Sequence, residues 1–267
     1  ILRGKKILLG ITGGIAAYKT PILVRLLKKA GAEIKVVLTE NAKEFVTPLS
    51  LSTVSENPVL SKFKDDDENW NNHVELGLWC DLMLICPATA NSLYKMANGN
   101  CDNLLIATYL SCKSKVFFAP AMDLDMYQHP STKETFEKLQ SFGNLMIPAE
   151  SGELASGLHG EGRMAEPETI IRFLEDFLRS GLPLVGKNVL ITAGPTHEPI
   201  DPVRFLGNRS SGTMGFELAK RAADLGANVV LVSGPTSLSV EHPGIQVVRV
   251  TTADEMYAAV HQHYEKV

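Results

Sequence analysis

Several short stretches join backbone freedom to hydrogen-bonding side chains in a way that suits a flat, phosphorylated ligand. Pro87-Ala88-Thr89-Ala90-Asn91-Ser92 follows the apolar run within Cys80 to Cys86 and opens into small polar residues, with the Thr89 and Asn91 side chains free to donate and accept. Thr12-Gly13-Gly14 is a tight turn that feeds a helix. Its backbone can approach a phosphate closely, with N–H groups and the positive end of the helix dipole behind it. It lacks G-x-G-x-x-G, so a purely structural turn fits it equally well. Pro120-Ala121-Met122-Asp123-Leu124-Asp125-Met126-Tyr127 opens a second loop at a strand end, and Asn208-Arg209-Ser210-Ser211-Gly212 offers donors for an anion beside another helix start. His73 has the chemistry of a general base, although a histidine ahead of a buried strand is more often a bystander. Cys80, Cys86, Cys101 and Cys112 show no C-x-x-C spacing, and the seven histidines form no H-E-x-x-H pattern.

The elements that must carry these residues can be read from the periodicity. Lys6 to Ile11 is an apolar strand. Ile22, Leu23, Leu26, Leu27 and Ala30 follow at helical spacing until Gly31 stops the helix, and Ile34 to Leu38 is a second strand ending at Thr39. Pro21 belongs in the first turn of that helix or kinks it. Asn41 to Leu51 is expected to be helical, Lys64 to Asn72 a charged loop, Leu93 to Ala97 and Asp102 to Leu110 helices, and Lys115 to Ala119 a short strand. Apolar runs bounded by breakers are strands buried on both faces of a parallel sheet. Ligands in such sheets bind outside the carboxyl ends of the strands, so two proline-opened loops imply one crevice. Ala149 to Met164 holds four glycines and is expected to be a mobile loop over that crevice.

Pro167 to Leu178 closes a first domain, and Ser180-Gly181-Leu182-Pro183 is a linker. Gly186 to Gly194 then echoes Gly4 to Thr12, and Leu218 to Val232 echoes Leu23 to Val37, so each half opens with a Rossmann-like unit. The second carries a longer loop, Pro195 to Gly215, followed after Gly226 by two strands and a helix. A chain that starts without Met and stops at Val267 is expected to hold an incomplete second domain. With 267 residues, 45% of them hydrophobic and 21% charged, the sequence can bury a sizeable core. A net charge of -4 gives no footprint for nucleic acid or an anionic membrane, and neither a membrane-length apolar run nor a signal h-region is apparent. Reduced thiols in a cytoplasmic protein are expected.

In combination, Gly13-Gly14-Ile15-Ala16, His73, Pro87 to Asn91, Pro120 to Met126 and Gly160-Glu161-Gly162-Arg163-Met164 resemble the flavin-dependent cysteine decarboxylases. Thr192-Ala193-Gly194-Pro195-Thr196 and Asn208 to Gly212 resemble the ligase that accompanies them. Over its whole length the chain resembles the bifunctional bacterial phosphopantothenoylcysteine decarboxylase/phosphopantothenate–cysteine ligases of coenzyme A synthesis. The resemblance implies an α/β fold: a Rossmann-like flavoprotein domain with a parallel sheet over 1–182, then the start of a second Rossmann-like domain over 183–267. It implies FMN held by Gly13, Gly14, Ile15, Thr39, Pro87, Ala88, Thr89, Ala90, Asn91 and Ala121. It implies His73 as an active-site base, position 123 as a carboxylate binder and position 156 as a proton donor, with Asp123, Met126, Arg163 and Asn208 touching substrate. The flavin would oxidise the cysteinyl CH2–SH to a thioaldehyde, which can delocalise the charge left by CO2, and then return the hydride. CTP and Mg2+ would serve the ligase domain of the full-length protein. A homo-oligomer, trimer or dodecamer, with its site at a subunit interface is implied, as are a small-molecule substrate and no nucleic-acid or membrane partner.

Two residues depart from the family pattern: Asp123 stands where Asn is usual, and Ser156 where Cys is usual. An ionised Asp repels a carboxylate unless it is protonated or partnered. A hydroxyl is a far poorer acid than a thiol of pKa about 8.5. These departures keep open a related flavoprotein, of the peptidyl-cysteine decarboxylase or flavin prenyltransferase type, and a non-catalytic FMN-binding regulatory subunit.

Overall fold

In the computed structural model, which describes residues 1–64, 70–265 and 267, the apolar run Lys6–Ile11 forms β1, a strand with all but its first residue buried. Thr20–Lys29 (α1) follows with Pro21 in its first turn, and Glu33–Leu38 (β2) lies parallel to β1. The expected helix from Asn41 to Leu51 is broken. A single 3-10 turn ends at Glu44, and α2 starts afresh at Pro48–Ser55. Proline has no N–H for a helix interior and pushes its predecessor out of the helical region, so Thr47 is extended and caps α2 by accepting from the Ser50 N–H at 3.1 Å.

Val59–Leu60 (β3) precedes Asp65 to Asn69, the part of the expected charged loop that lies outside the described residues. The segment after it is a helix, α3 (His73–Trp79), with Asn72 as its cap, and β4 (Leu82–Ala88) follows, buried throughout. The strand therefore runs through Pro87 instead of stopping at it. Its register with the next strand shifts between Ile85 and Ala88, where proline lacks a ladder N–H. The order continues α4 (Ala90–Asn98), α5 (Leu104–Ser111), β5 (Lys115–Pro120), α6 (Leu124–Gln128), α7 (Pro130–Ser141) and β6 (Leu145–Met146).

All six strands pair in parallel in the order β3-β2-β1-β4-β5-β6. The chain reverses direction across the sheet between β1 and β4, which is the switch point where open α/β sheets bind ligands. One apolar face packs Met83, Ile85 and Phe118 under α5 and α7 through Leu105, Ile106, Phe136 and Leu139.

Ala149 to Met164 is not an open loop. It is an antiparallel hairpin, β7 (Glu150–Glu153) with β8 (His159–Arg163), turned at Gly157 with φ +84. Leu154 and Met164 are buried at its ends, and Gly160 and Gly162 lie against the Leu124 side chain and the Met122 backbone. α8 (Pro167–Ser180) follows.

The chain divides into Leu2–Glu175 and a unit comprising Asp176–Val267 with Ile1. In the latter, β9 (Asn188–Ala193) pairs in parallel with β12 (Asn228–Ser233), which pairs in parallel with β13 (Ile245–Arg249). The long segment after β9 is not featureless: β10 (His197–Pro199) and β11 (Phe205–Gly207) form a small hairpin before α9 (Thr213–Asp224), and α10 (Ala253–Tyr264) closes the unit. His197 stacks on Phe205 at 3.8 Å between ring centres across that hairpin.

Candidate active site

A cleft of about 880 Å3 opens at the carboxyl ends of β1, β4 and β5, on the switch point. Its β1 wall is the glycine turn, and Gly13 has no room for a side chain, since a Cβ there would lie 2.7 Å from the Asn41 Cβ. Thr12, fully buried beneath that turn, donates from Oγ1 to the Pro87 carbonyl at 2.7 Å and accepts from the Thr89 N–H at 3.1 Å. One hydroxyl thus locks the β1 turn to the β4 loop.

The β5 wall is tied in the same manner. Ala121 N–H donates to the Ala88 carbonyl at 3.1 Å, and Met122 N–H donates to the Gly162 carbonyl at 3.0 Å, which fastens β8 against the loop. Gly162 has φ +145, and a Cβ on it would stand 2.3 Å from the Met122 oxygen, so only glycine serves.

One charged cluster joins the 3-10 turn after Gly14 to the segment after β8. Lys19 is buried, lines the cleft, and places Nζ 2.7 Å from Glu166 Oε1 and 3.3 Å from the Met164 carbonyl. Arg163 Nη2 reaches the same carboxylate oxygen at 2.8 Å. Lys19 above all holds the Glu166 carboxyl below its usual range; burial opposes it, and Arg163 adds a smaller pull in the same direction as Lys19. Two cations meet on one carboxylate oxygen there, and a second carboxylate, Glu150, accepts the Glu166 N–H at 3.1 Å, so the guanidinium is held in place beside the cleft. Asp123 caps α6, with Oδ1 accepting the Leu124 N–H at 2.6 Å, and among the described residues its carboxylate has no cationic partner. Cys86, wholly buried beside the cleft, has its thiol pushed up by that burial.

Of the residues singled out in the sequence, Gly13, Gly14, Ile15, Thr39, Thr89, Ala90, Asn91, Ala121, Asp123, Met126 and Arg163 line this one cleft. Pro87 and Ala88 do not; they are the buried end of β4 and act by placing Thr89. Ser156 is exposed at the hairpin tip, one residue beyond Ala155, which does line the cleft, and its Oγ accepts from the Leu158 N–H at 3.4 Å. His73 does not line the cleft either. It opens α3, edge-on to Phe63 at 6.0 Å and to Trp70 at 6.5 Å, and its Nδ1 is buried without a hydrogen-bond partner among the described residues. Asn208 lies in the other unit, where Oδ1 accepts from the Ser210 N–H at 2.8 Å.

Sequence reasoning named Thr12 only as part of its turn and missed Lys19 and Glu166. Lys19 carries the one signal that could have been read, a lysine between an apolar turn and a buried helix start; its partner, 147 residues away, carries none.

The model of the family described as "Flavoprotein" matches residues 2–179. The chain belongs to that family. A second model, "DNA/pantothenate metabolism flavoprotein C-terminal domain", matches residues 184–267. Among curated relatives, a cysteine/cysteine sulfinic acid decarboxylase from an unknown prokaryotic organism is 54% identical over 219 residues, covering 80% of this chain and 61% of that protein. The coenzyme A biosynthesis bifunctional protein CoaBC of Escherichia coli (strain K12) is 47% identical over 260 residues, covering 97% of this chain and 64% of that protein. The chain thus spans less than two thirds of the length of these relatives. Among solved structures, a mutant PPC decarboxylase complexed with pantothenoylaminoethenethiol aligns with TM-score 0.59 and 34% identity over 66% of this chain and 99% of that one. The FMN-binding protein AtHal3 aligns with TM-score 0.58 and 34% identity over 67% of this chain and 98% of that one. No helix among the described residues is long and apolar enough to cross a membrane.

Proposed function

We propose that the flavoprotein unit binds FMN in the switch-point cleft and decarboxylates 4'-phosphopantothenoylcysteine to 4'-phosphopantetheine. The observation that carries this reading is the cleft itself: a glycine turn too tight for any side chain, and in the same lining a cationic pair sharing one carboxylate oxygen. The cleft has the volume for a flavin nucleotide together with a substrate tail. Gly13, Gly14 and Ile15 would hold the phosphate, and Thr39, Thr89, Asn91 and Ala121 the polar edges. When bound, FMN supplies a two-electron acceptor that makes the cysteinyl carbon able to shed CO2.

The chain's own groups then do the positioning. Arg163 presents its guanidinium to the substrate's anionic end while Glu166 and Lys19 fix its place. Met126 packs against the substrate from α6, and Ser156 serves from the hairpin tip. His73 acts as a base from a second copy of the chain, because it does not reach its own cleft; the protein on this reading is a homo-oligomer, trimer or dodecamer, in the cytoplasm. Residues 183–267 begin a phosphopantothenate–cysteine ligase domain that uses CTP and Mg2+, with Asn208 touching its substrate, and residues 1–182 form the decarboxylase domain.

The test is a flavin spectrum of the purified protein followed by CO2 release from phosphopantothenoylcysteine. A colourless protein that FMN does not reconstitute overturns the cofactor assignment. A yellow protein that releases no CO2 from any cysteine derivative leaves a binding subunit.

A second reading has its own support. Asp123 brings to the cleft a carboxylate without a cationic partner among the described residues, suited to a substrate ammonium, and the relative at 54% identity is named for cysteine and cysteine sulfinic acid. On this reading free cysteine releases CO2 faster than phosphopantothenoylcysteine, and Asp123→Asn reverses the preference.

A further inference from the structure

Cys80 and Cys112 bring their sulfurs to 3.7 Å on the side of α3 and α5, and neither lines the flavin cleft. Each is the residue that follows its helix, Cys80 after α3 and Cys112 after α5. The contact is built into the backbone. Gly77 of α3 lies so close to the end of α5 that a Cβ on it would stand 3.0 Å from the Ser111 carbonyl carbon and 3.1 Å from the Cys112 nitrogen. Ser114 Oγ closes the other side by donating to the Cys80 carbonyl at 2.6 Å.

The two thiols are not equivalent. Cys80 is buried, and its pKa is pushed up by the hydrogen bond between the sulfurs and by burial. Cys112 is half-buried, and the same hydrogen bond holds it down to about 7, with burial opposing. It lines a cavity of about 370 Å3 together with Lys113 and Lys115, open space beside the half-buried residue that a small oxidant can enter. The pair is therefore a reactive thiol with a second thiol already in contact with it.

We propose that Cys112 and Cys80 form a peroxide-reactive dithiol, in which Cys112 is the attacking sulfur and Cys80 the resolving one. The Cys112 thiolate attacks one peroxide oxygen; the S–O bond forms, the O–O bond breaks, and the hydroxide released takes up a proton to become water. Cys80 then attacks the Cys112 sulfenic sulfur, the S–S bond forms, the S–O bond breaks, and the departing hydroxide takes the Cys80 proton. Two electrons pass from the thiols to the peroxide. Closing from 3.7 Å to the bonded separation of about 2.05 Å moves the sulfurs together by less than about 2 Å. The product joins the carboxyl ends of α3 and α5 ahead of β4.

The experiment treats the full chain, with its flavin if bound, with hydrogen peroxide at pH 7 and follows intact mass and peptide maps. The expected result is loss of two hydrogens, a peptide linked through Cys80 and Cys112, and full reversal by dithiothreitol. The rate should drop about fivefold between pH 7 and pH 6 as the thiolate is lost. Cys80→Ser should stop at a Cys112 sulfenic acid that dimedone traps, and Cys101→Ser should leave the linked peptide unchanged, although Cys101 is the more exposed thiol. The proposal is overturned if the wild-type chain yields no linked peptide, if Cys101 oxidises ahead of Cys112, or if Cys80→Ser leaves Cys112 unmodified by peroxide.

Discussion

β1 and β9 start from nearly the same local instructions and end in different environments. Gly4-Lys5 and Gly186-Lys187 precede them, and both glycines are left-handed, with φ +75 and φ +73. The helices that follow, α1 and α9, are both stopped by left-handed glycines, Gly31 at φ +87 and Gly226 at φ +97. Yet β1 is paired on both edges, by β2 and β4, and its residues from Ile7 to Ile11 are buried, whereas β9 pairs with β12 alone among the described residues and Leu190 and Ile191 stay half-exposed. The turn chemistry is local and repeats; the burial depends on which neighbours the chain delivers.

The sharpest way to break that comparison is the same truncation at equivalent places. Leu8→Ala, in the fully buried strand, should cost about 3–4 kcal/mol, within the range for buried leucines that leave a cavity. Leu190→Ala should cost less, about 1–2 kcal/mol, because part of its side chain stays in water. Denaturant unfolding read by hydrogen exchange in β1 and in β9 separates the two, and equal losses would mean that pairing on both edges confers no extra protection.

A smaller effect belongs to the charge cluster of the first unit. Glu166→Gln strips the buried Lys19 of its counter-ion and should cost on the order of 2 kcal/mol. That is less than for a wholly buried pair, because the Glu166 side chain is 40% exposed. Its carboxyl is held low in the folded state, so the stability it contributes is present above the ordinary value of 4.5 and is lost as pH falls through the depressed value. Wild type and variant should therefore differ in Tm at pH 7 and converge in acid. A gap that persists in acid strong enough to protonate the folded-state carboxyl would assign the effect to packing.

The smallest effect separates the two glycine turns. Thr12→Val removes the bonds to Pro87 and Thr89 and should cost about 1 kcal/mol, with a several-fold weaker flavin affinity measured by fluorescence titration. The position that echoes Thr12 in the second unit is Gly194, which has no hydroxyl to lose; unchanged flavin affinity in Thr12→Val would show that this lock does not shape the cleft.

Much of the fold was legible because its signals are local. The apolar runs of β1, β2 and β5, the glycine stops after α1 and α9, and the placing of Pro21 in a first turn need no knowledge of distant residues. Misreadings occurred where a neighbour overrode the local pattern. The segment from Ala149 to Met164 reads as a loop from its glycines, but those glycines let β8 lie against Met122 and Leu124, which only the folded chain brings near. Pro87 reads as a strand end, but pairing with β5 carries the strand through to Ala88.

The candidate site divides in the same way. Residue types and turns determined its loops, since Gly13-Gly14, Thr89 to Asn91 and Ala121 to Asp123 all reach one cleft at strand ends that apolar periodicity alone locates. Tertiary structure decided the rest. The pairing of Lys19 with Glu166, the contact of Cys80 with Cys112, and the exclusion of His73 from its own cleft depend on pairings across long stretches of chain. No periodicity encodes such pairings, because distance along the chain says nothing of distance in space once a parallel sheet has folded.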